Sequence, residues 1–366
     1  MRIGIVTSHS FPIPWKNHSG DVVITDMARS LGEMGHHVTM YSPDGTWTPS
    51  GGRQLSMPCA FGAWPPSSED CEDECYRRHS SSLMDEDIVH DFSVSKRVVS
   101  RLRQAGRPGL STLMGGAWTR DDPPVNLCVW TLSHRDRVLR GATDYEGTST
   151  PDLAGPPQKP VREAHVVHGA VDTDWYSPSG HGEDFILWMN RWHPAKGYAQ
   201  AIFAARRVGF RLMMAGEHPD RELFQFQRDC ALEAVELARG LKNVEFVWLP
   251  PDPDHHVVKR ELYRRASALL YSVQFHEPFG LSQVEAMSCG TPVVGTAYGS
   301  VPEVVTDGVT GYVSHDLDGS LRRFLKDPSR LSRSACREDA VNRFDRRVMA
   351  RSYLEEYRKA VSGETW

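Results

Sequence analysis

The fold is decided by Tyr271–Gly311, YSVQFHEPFGLSQVEAMSCGTPVVGTAYGSVPEVVTDGVTG. An apolar run from Ala266 to Tyr271 leads into it and reads as a buried strand. Glu277-Pro278-Phe279-Gly280-Leu281 is a turn that hands the chain to a helix over Ser282–Cys289. Gly290 suits the left-handed residue that ends such a helix, and Thr291 to Gly295 is the next buried strand. Strand, glycine turn, helix and strand make a βαβ unit. Unpaired N–H groups at a helix start, beside a glycine that permits close approach, suit an anionic group. Glu277 and Glu285, with seven residues between them, lie about two helical turns apart. A phosphate at the N–H groups with two carboxylates nearby points to a polyhydroxylated phosphate ester, the carboxylates accepting from its hydroxyls. Two solvated glutamates on an ordinary helix satisfy the same spacing, so the pair alone does not decide.

Arg2 to Thr7 is a strand and Ser8 to Gly20 a loop. Val22, Ile24, Met27, Ala28, Leu31 and Met34 give Asp21–Met34 helical spacing, Gly35 stops it, and Val38 to Tyr41 is a second strand. This opens a doubly wound domain without the G-x-G-x-x-G dinucleotide fingerprint. Residues 43–82, rich in Pro, Gly and Ser, read as a long irregular stretch. Further strands are expected ending near His90, at Leu110–Gly116, and at Cys128–Leu132. A helix over Ser95–Gln104 carries Lys96, Arg97, Arg101 and Arg103, read as a solvated face rather than a membrane-surface one. Ser133 starts a helix to Arg140 with His134 exposed, and Thr148–Pro160 is a loop. The second half carries strands at Phe185–Met189, Leu212–Ala215 and Val244–Leu249, then a helical tail from Val341 to Ala360. Asp172 and Asp174 are read as turn and cap residues.

Length, charge and cysteines bound the function. The 366 residues suffice for two domains with separate cores. A net charge of −5 gives no reason to expect nucleic-acid binding. No apolar run approaches the ~20 residues of a membrane span. Met1–Val6 reads as an immediate first strand, not a signal peptide, so the cytoplasm is expected. Seven cysteines, an odd number spread over the chain, fit reduced thiols. Cys71 and Cys75, with Cys59 and His79 nearby, lack a zinc spacing and are read as solvated loop thiols.

The phrase from Glu277 onward resembles the signature of retaining GT-B glycosyltransferases of the GT4 type, E-x-F-G-L-x-x-x-E-A-M-x-x-G-x-P-V-V. Gly299-Ser300 stand where two glycines are usual, followed by Pro302-Glu303-Val304-Val305. Asn190–Gly197, NRWHPAKG, resembles the family's G-R-x-x-x-x-K-G, and Val166–Asp174 resembles the phrase that closes its first domain. The resemblance implies an α/β GT-B fold: two doubly wound Rossmann-like domains facing a cleft. Residues 1–170 would bind the acceptor, 171–340 the nucleotide sugar, and a C-terminal helix within 341–366 would cross back to the first domain. It implies transfer of a sugar, with retention, from a UDP- or GDP-linked donor to a soluble small molecule or saccharide. A sugar-nucleotide binder without catalysis, and an epimerase or phosphorylase of the same fold, are the alternatives.

The implied catalytic residues are Glu277, at the donor sugar, and Arg191 and Lys196, two cations that can pair with a diphosphate. The backbone of Phe279, Gly280 and Leu281 meets sugar and phosphate, and Glu285 takes the ribose hydroxyls. Gly20 lets the first domain approach the phosphates, and Val247 and Trp248 wall the nucleobase. No metal and no cofactor are implied, and neither nucleic acid nor membrane is an expected partner. One departure stands out. Relatives carry Thr-x-His-Gly where this chain has Thr112-Leu113-Met114-Gly115, so a mechanism needing that His has Met114 in its place.

Overall fold

A computed structural model describes residues 1–8, 13, 19–57, 68–114, 125–142, 144, 160–180, 182–219, 225–250 and 254–366. Short β-branched and aliphatic runs alternate with helices along the chain. Parallel pairing requires such crossovers, and sheets covered on both faces require apolar strands. Two compact units result: Met1–Ala142 with Pro157–Val171 and Asp345–Trp366, and Thr143–Pro156 with Asp172–Phe344.

In the first unit the order is β1 (Arg2–Val6), α1 (Ser19–Glu33), β2 (His37–Ser42), β3 (Arg53–Ser56), α2 (Ser68–Asp85), β4 (Ile88–Asp91), α3 (Arg97–Gln104), β5 (Gly109–Leu113), β6 (Leu127–Val129), α4 (Leu132–Arg140) and β7 (His165–Val166). The second unit has β8 (Ile186–Met189), α5 (Tyr198–Ala204), β9 (Leu212–Glu217), α6 (Gln225–Leu237), β10 (Val244–Leu249), α7 (Asp254–Arg265), β11 (Ala268–Tyr271), α8 (Leu281–Ser288), β12 (Val293–Thr296), α9 (Val301–Val304), β13 (Gly311–Ser314), α10 (Leu317–Lys326) and α11 (Arg333–Phe344). Then α12 (Arg346–Val361) returns to the first. The sheets run β3-β2-β1-β4-β5-β6-β7 and β10-β9-β8-β11-β12-β13, with parallel pairings throughout. Strand order therefore reverses between β1 and β4 in one sheet and between β8 and β11 in the other. Ligands of open parallel sheets bind outside the strand C-termini at such a reversal.

Several expectations are corrected. Residues 43–82 are not an irregular stretch throughout: they contain β3 and most of α2. The helix was hidden by its polarity, SEDCEDECYRRHSSSLMD, with Cys75 and Leu83 turned into the core. Cys75 is thus a buried thiol, pushed up to about 12 by burial first and by the nearby Asp91 and Glu72 charges, rather than a solvated loop thiol. His79 bonds the Ser56 carbonyl at 2.7 Å, and Cys59 lies outside the described residues. The Gly115-Gly116 turn, most of the Ser8–Gly20 loop and all but the last residue of Thr148–Pro160 also lie outside them.

Lys96 does not belong to a solvated face. It is buried at a left-handed position before α3 (φ 55°), and its Nζ donates to the carbonyls of Asp91 and Thr112, both at 2.9 Å. Glu72 caps α3 by accepting from the Ser95 and Arg97 amides. Burial, then the Asp91 charge, pushes the Glu72 carboxyl up, while burial pulls the Lys96 ammonium down. His134 is fully buried, not exposed, and Thr131 rather than Ser133 caps α4, its hydroxyl accepting from the His134 amide at 3.1 Å. His90 bridges β5 and α12: its ring nitrogens pair with Thr112 Oγ1 and Tyr357 Oη at 2.7 Å each, and burial holds it neutral. No described helix is long and apolar enough to cross a membrane.

The tail expected as one helix from Val341 is two. α11 ends at Phe344 and Asp345 takes an extended conformation (ψ 143°), its carboxylate capping α12 through the Arg347 amide. Arg346, 5 % exposed, then grips Glu33 of α1 through both guanidinium nitrogens at 2.7 and 3.0 Å, and Ser30 at 2.9 Å. Glu33 is half-exposed, so the pair is worth ~1–2 kcal/mol. Arg346→Ala is expected to lower the stability of the first unit by that amount at pH 7 in urea unfolding. The Arg346 hydrogen bond holds the Glu33 carboxyl below its usual range, so the deficit is full above the unfolded carboxylate pKa and disappears as pH falls through the folded one. An unchanged urea midpoint at pH 7 contradicts this.

Candidate active site

In the second unit the chain leaves β8 through a tight 3₁₀ turn, Pro194–Lys196, and leaves β11 through Ser272–Gly280. These two loops are sewn together. The Gln274 amide donates to the Ala195 carbonyl at 2.7 Å, and the Ser272 hydroxyl to the Gly197 carbonyl at 2.8 Å. A Cβ on Gly197, itself at φ +73°, would stand 1.8 Å from the Ser272 carbonyl oxygen, so only glycine permits the joint. Trp188 adds a bond from its indole N–H to the Lys196 carbonyl, 3.2 Å.

The joint presents Lys196 to Glu277. The ammonium and carboxylate lie 2.5 Å apart, and their side chains are 15 % and 9 % exposed. Lys196 also lies 4.7 Å above the Phe275 ring. The second grip on Glu277 comes from Tyr271 at the end of β11, whose hydroxyl donates to the same carboxylate oxygen at 2.7 Å. Burial, then the Glu277 charge, holds that phenol well above its ordinary range, so it remains a donor. The backbone around Glu277 is clamped from the loop after β12. The Ser300 amide donates to the Glu277 carbonyl and the Ser300 hydroxyl to the Phe279 carbonyl, each at 2.8 Å. Gly299 (φ +61°) approaches so closely that a Cβ there would lie 2.4 Å from the Glu277 nitrogen.

Gly280 (φ +81°) then starts α8. The first N–H groups of a helix lack intrahelical acceptors, so the first turn from Leu281 faces the same region as an anion-binding terminus. Phe279 contributes backbone only, since its ring is buried against Phe344 at 5.6 Å. Arg191 is exposed on the loop after β8 and makes no ion pair among the described residues. His193 caps the 3₁₀ turn, its Nδ1 accepting from the Ala195 amide at 3.1 Å. Burial, then the Arg191 and Lys196 charges, lowers it to about 4, so it is neutral at pH 7.

Glu285 lies one helical turn deeper and is 6 % exposed. Among the described residues, three groups hold it: Lys259 at 2.7 Å and Tyr176 at 3.1 Å on Oε1, and Tyr263 at 2.8 Å on Oε2. Burial pushes this carboxyl up, but Lys259 and the three hydrogen bonds outweigh it and leave it below the usual range. Lys196, Glu277, Gly280 and Leu281 are therefore brought together, with Glu285 behind them and Arg191 at the rim. Val247 and Trp248 stand apart on the edge strand β10, where Trp248 packs with Phe246 and Trp192 at 5.6 and 5.9 Å. Gly20 is the second residue of α1 in the first unit, and Met114 is half-buried just after β5. Asp172 makes a turn, accepting from the Asp174 amide at 3.0 Å. Lys259, Tyr263, Tyr271 and Ser272 escaped the sequence reading: they lie in an ordinary amphipathic helix and at an apolar strand end, with no motif of their own.

With this geometry in hand, three comparisons place the chain. Residues 173–342 match the family model described as glycosyl transferases group 1. The glycogen synthase of Mycobacterium tuberculosis is 31% identical over 307 residues, covering 76% of this chain and 70% of that protein. The D-inositol 3-phosphate glycosyltransferase of Mycobacterium avium is 31% identical over 217 residues, covering 54% of this chain and 49% of its own length. Across the first of these curated relatives the chain spans about half of their length. Among solved structures, the sucrose-phosphate synthase of Thermosynechococcus elongatus superposes with a TM-score of 0.78 at 17% identity, over 100% of both chains.

The clamp on Glu277 yields a test. Gly299 and Gly308 both have positive φ (+61° and +79°), but an added Cβ at Gly308 meets nothing within 4 Å. Gly308→Ala is expected to cost only the ~1–2 kcal/mol of left-handed backbone. Gly299→Ala should cost ~2 kcal/mol more, because the Glu277 loop must move. Equal losses of unfolding free energy in the two variants contradict the clamp.

Proposed function

The chain belongs to the glycosyl transferases group 1 family and has the GT-B fold, and from that premise we propose that it transfers a glycosyl group from a nucleoside diphosphate sugar to an acceptor hydroxyl, with retention at the anomeric carbon. The observation that carries this reading is the ammonium of Lys196 held against Glu277 at the joined ends of β8 and β11.

The acceptor oxygen forms a bond to the anomeric carbon as the bond from that carbon to the diphosphate oxygen breaks. Negative charge grows on the leaving diphosphate. Lys196, Arg191 and the N–H groups opening α8 are placed to stabilise it, and Lys196 and Glu277 are themselves largely buried, where fixed charges act strongly. Lys196 has three N–H donors, so it can hold Glu277 and still meet a phosphate. Glu277, locked by Lys196 and Tyr271, accepts from hydroxyls of the donor sugar. The acceptor's proton passes to an oxygen of the departing phosphate, which leaves Met114 without a proton-transfer duty. Glu285 takes a ribose hydroxyl, and Trp248 and Val247 line the base. Gly20 of α1 serves close approach to the phosphates. A UDP- or GDP-linked donor and a polyhydroxylated small molecule or saccharide are the proposed substrates. The support for the latter is that relatives are named for inositol phosphate and for glycogen. The roles require neither metal nor cofactor, since cations and helix dipole supply the electrostatics.

Met114 in place of the family's His favours a second reading, a protein that binds a sugar nucleotide without transferring it. A panel of UDP- and GDP-sugars, assayed for nucleoside diphosphate release with and without saccharide acceptors, separates the two. Transfer predicts release that depends on the acceptor. Binding alone predicts a calorimetric signal and no release. Lys196→Ala should lower kcat by ~10²-fold or more, and Glu285→Gln should raise the donor KM by about tenfold. Wild-type rates in both variants contradict the assignments.

A further inference from the structure

The buried environment of Glu285 contains more than nucleotide recognition requires. A carboxylate offers about four acceptor positions. Lys259 and Tyr176 occupy both on Oε1, and Tyr263 occupies one on Oε2. Among the described residues no further group takes the remaining acceptor position, on Oε2, which is offered to a ligand. That position exists only while the group is ionised, because a protonated carboxyl places a hydrogen on one of these oxygens and turns part of its capacity into a donor.

Of the three partners, only Lys259 brings charge. Tyr176 and Tyr263 fix orientation, and both their rings lie 6.0 Å from the Lys259 ammonium. Among the described residues, the other charged or titratable groups around Glu285 do not replace Lys259, and the Glu277 carboxylate, on the far side of the Tyr271 hydroxyl, carries charge of the same sign. Tyr263 on α7 and Tyr271 on β11 are phenols held neutral by burial and by the carboxylates beside them. Cys289 at the end of α8 is a thiol pushed up by burial. Arg337 on α11 is spent on the carbonyls of Thr173, Tyr176 and Ser288. Arg264 is spent on Ser177 and Glu261, and Arg333 on the carbonyls of Ala266, Arg264 and Cys289.

We propose that Lys259, on α7, is a positioning residue for nucleotide binding: it keeps Glu285 ionised and turned so that its one open acceptor site meets a ribose hydroxyl. This rests on the reading of Glu285 as the ribose ligand given above. Lys259 itself is 19 % exposed at its side chain and acts through Glu285. Without it the carboxylate, buried and held by the phenols of Tyr176 and Tyr263, has lost its opposite charge, and burial pushes it toward the protonated form. Nucleotide binding must then displace that proton.

The test is isothermal titration of UDP, GDP and ADP into the full chain at pH 8.5 and pH 6, for wild type, Lys259→Met, Lys259→Gln, Lys259→Arg and Glu285→Gln. The diphosphate's own titration is common to all and cancels in ratios to wild type. Lys259→Met is expected to weaken the best-bound nucleotide by about fivefold or more relative to wild type at pH 6, with much of the loss recovered at pH 8.5. Binding to it near neutrality should release a proton, seen as an enthalpy that varies with buffer. Lys259→Gln keeps a donor without charge and should behave likewise, which covers a Met variant that fails to fold. Lys259→Arg should follow wild type. Lys259→Met or Lys259→Gln with a wild-type affinity ratio at both pH values, while Glu285→Gln binds weakly, overturns the role of Lys259 alone. Glu285→Gln binding as wild type overturns the ribose assignment beneath it, and a wild type that binds none of the three nucleotides overturns the donor reading itself.

Discussion

Gly197 sits against the carbonyl of Ser272, and the rest of the second unit's site follows from that approach. β8 and β11 are sequence-distant but adjacent in the sheet, because the strand order reverses between them. In open parallel sheets such a reversal leaves a crevice above the strand C-termini. The hydrogen bonds from Ser272 to Gly197 and from Gln274 to Ala195 close the base of that space. Lys196 and Glu277 then project from the two loops and meet. Without the glycine the loops cannot approach, and the ammonium and carboxylate have no fixed relation.

Ionic groups taken out of water cost several kcal/mol each unless paired and hydrogen-bonded. The chain meets that requirement with tyrosines. Tyr271 holds Glu277 and Tyr263 holds Glu285, while Lys196 and Lys259 supply the opposite charges. The residue that reads as core in each case, a phenol at a strand end or on a helix face, is what orients the acid. The first unit applies the same economy differently. There Lys96 is buried without a ligand-like setting, and its ammonium completes the strand ends by donating to the carbonyls of Asp91 and Thr112.

What the sequence revealed follows from range. Local signals, such as alternating strands and helices and the stop at Gly290 (φ +79°), reported the βαβ order correctly. The phrase around Glu277 pointed to the region where Lys196, Glu277 and α8 converge, since its glycines and acids are neighbours in the chain. Three kinds of feature stayed hidden. A very polar helix, α2, buries only a narrow stripe, so its composition resembled a loop. Long-range partners such as Lys259 for Glu285 leave no periodic trace. Burial of ionisable residues, as in Lys96 and His134, depends on what packs over them, and their own neighbours in sequence gave no sign of it.

The arrangement of charge at the reversal of the second sheet is most directly tested by a crystal structure of the chain with its UDP- or GDP-linked sugar bound. Diphosphate oxygens are expected within hydrogen-bonding distance of Lys196 Nζ and of the first N–H groups of α8, with the sugar hydroxyls at Glu277. Clear density for the nucleotide sugar elsewhere, with the Lys196–Glu277 pair untouched, contradicts it.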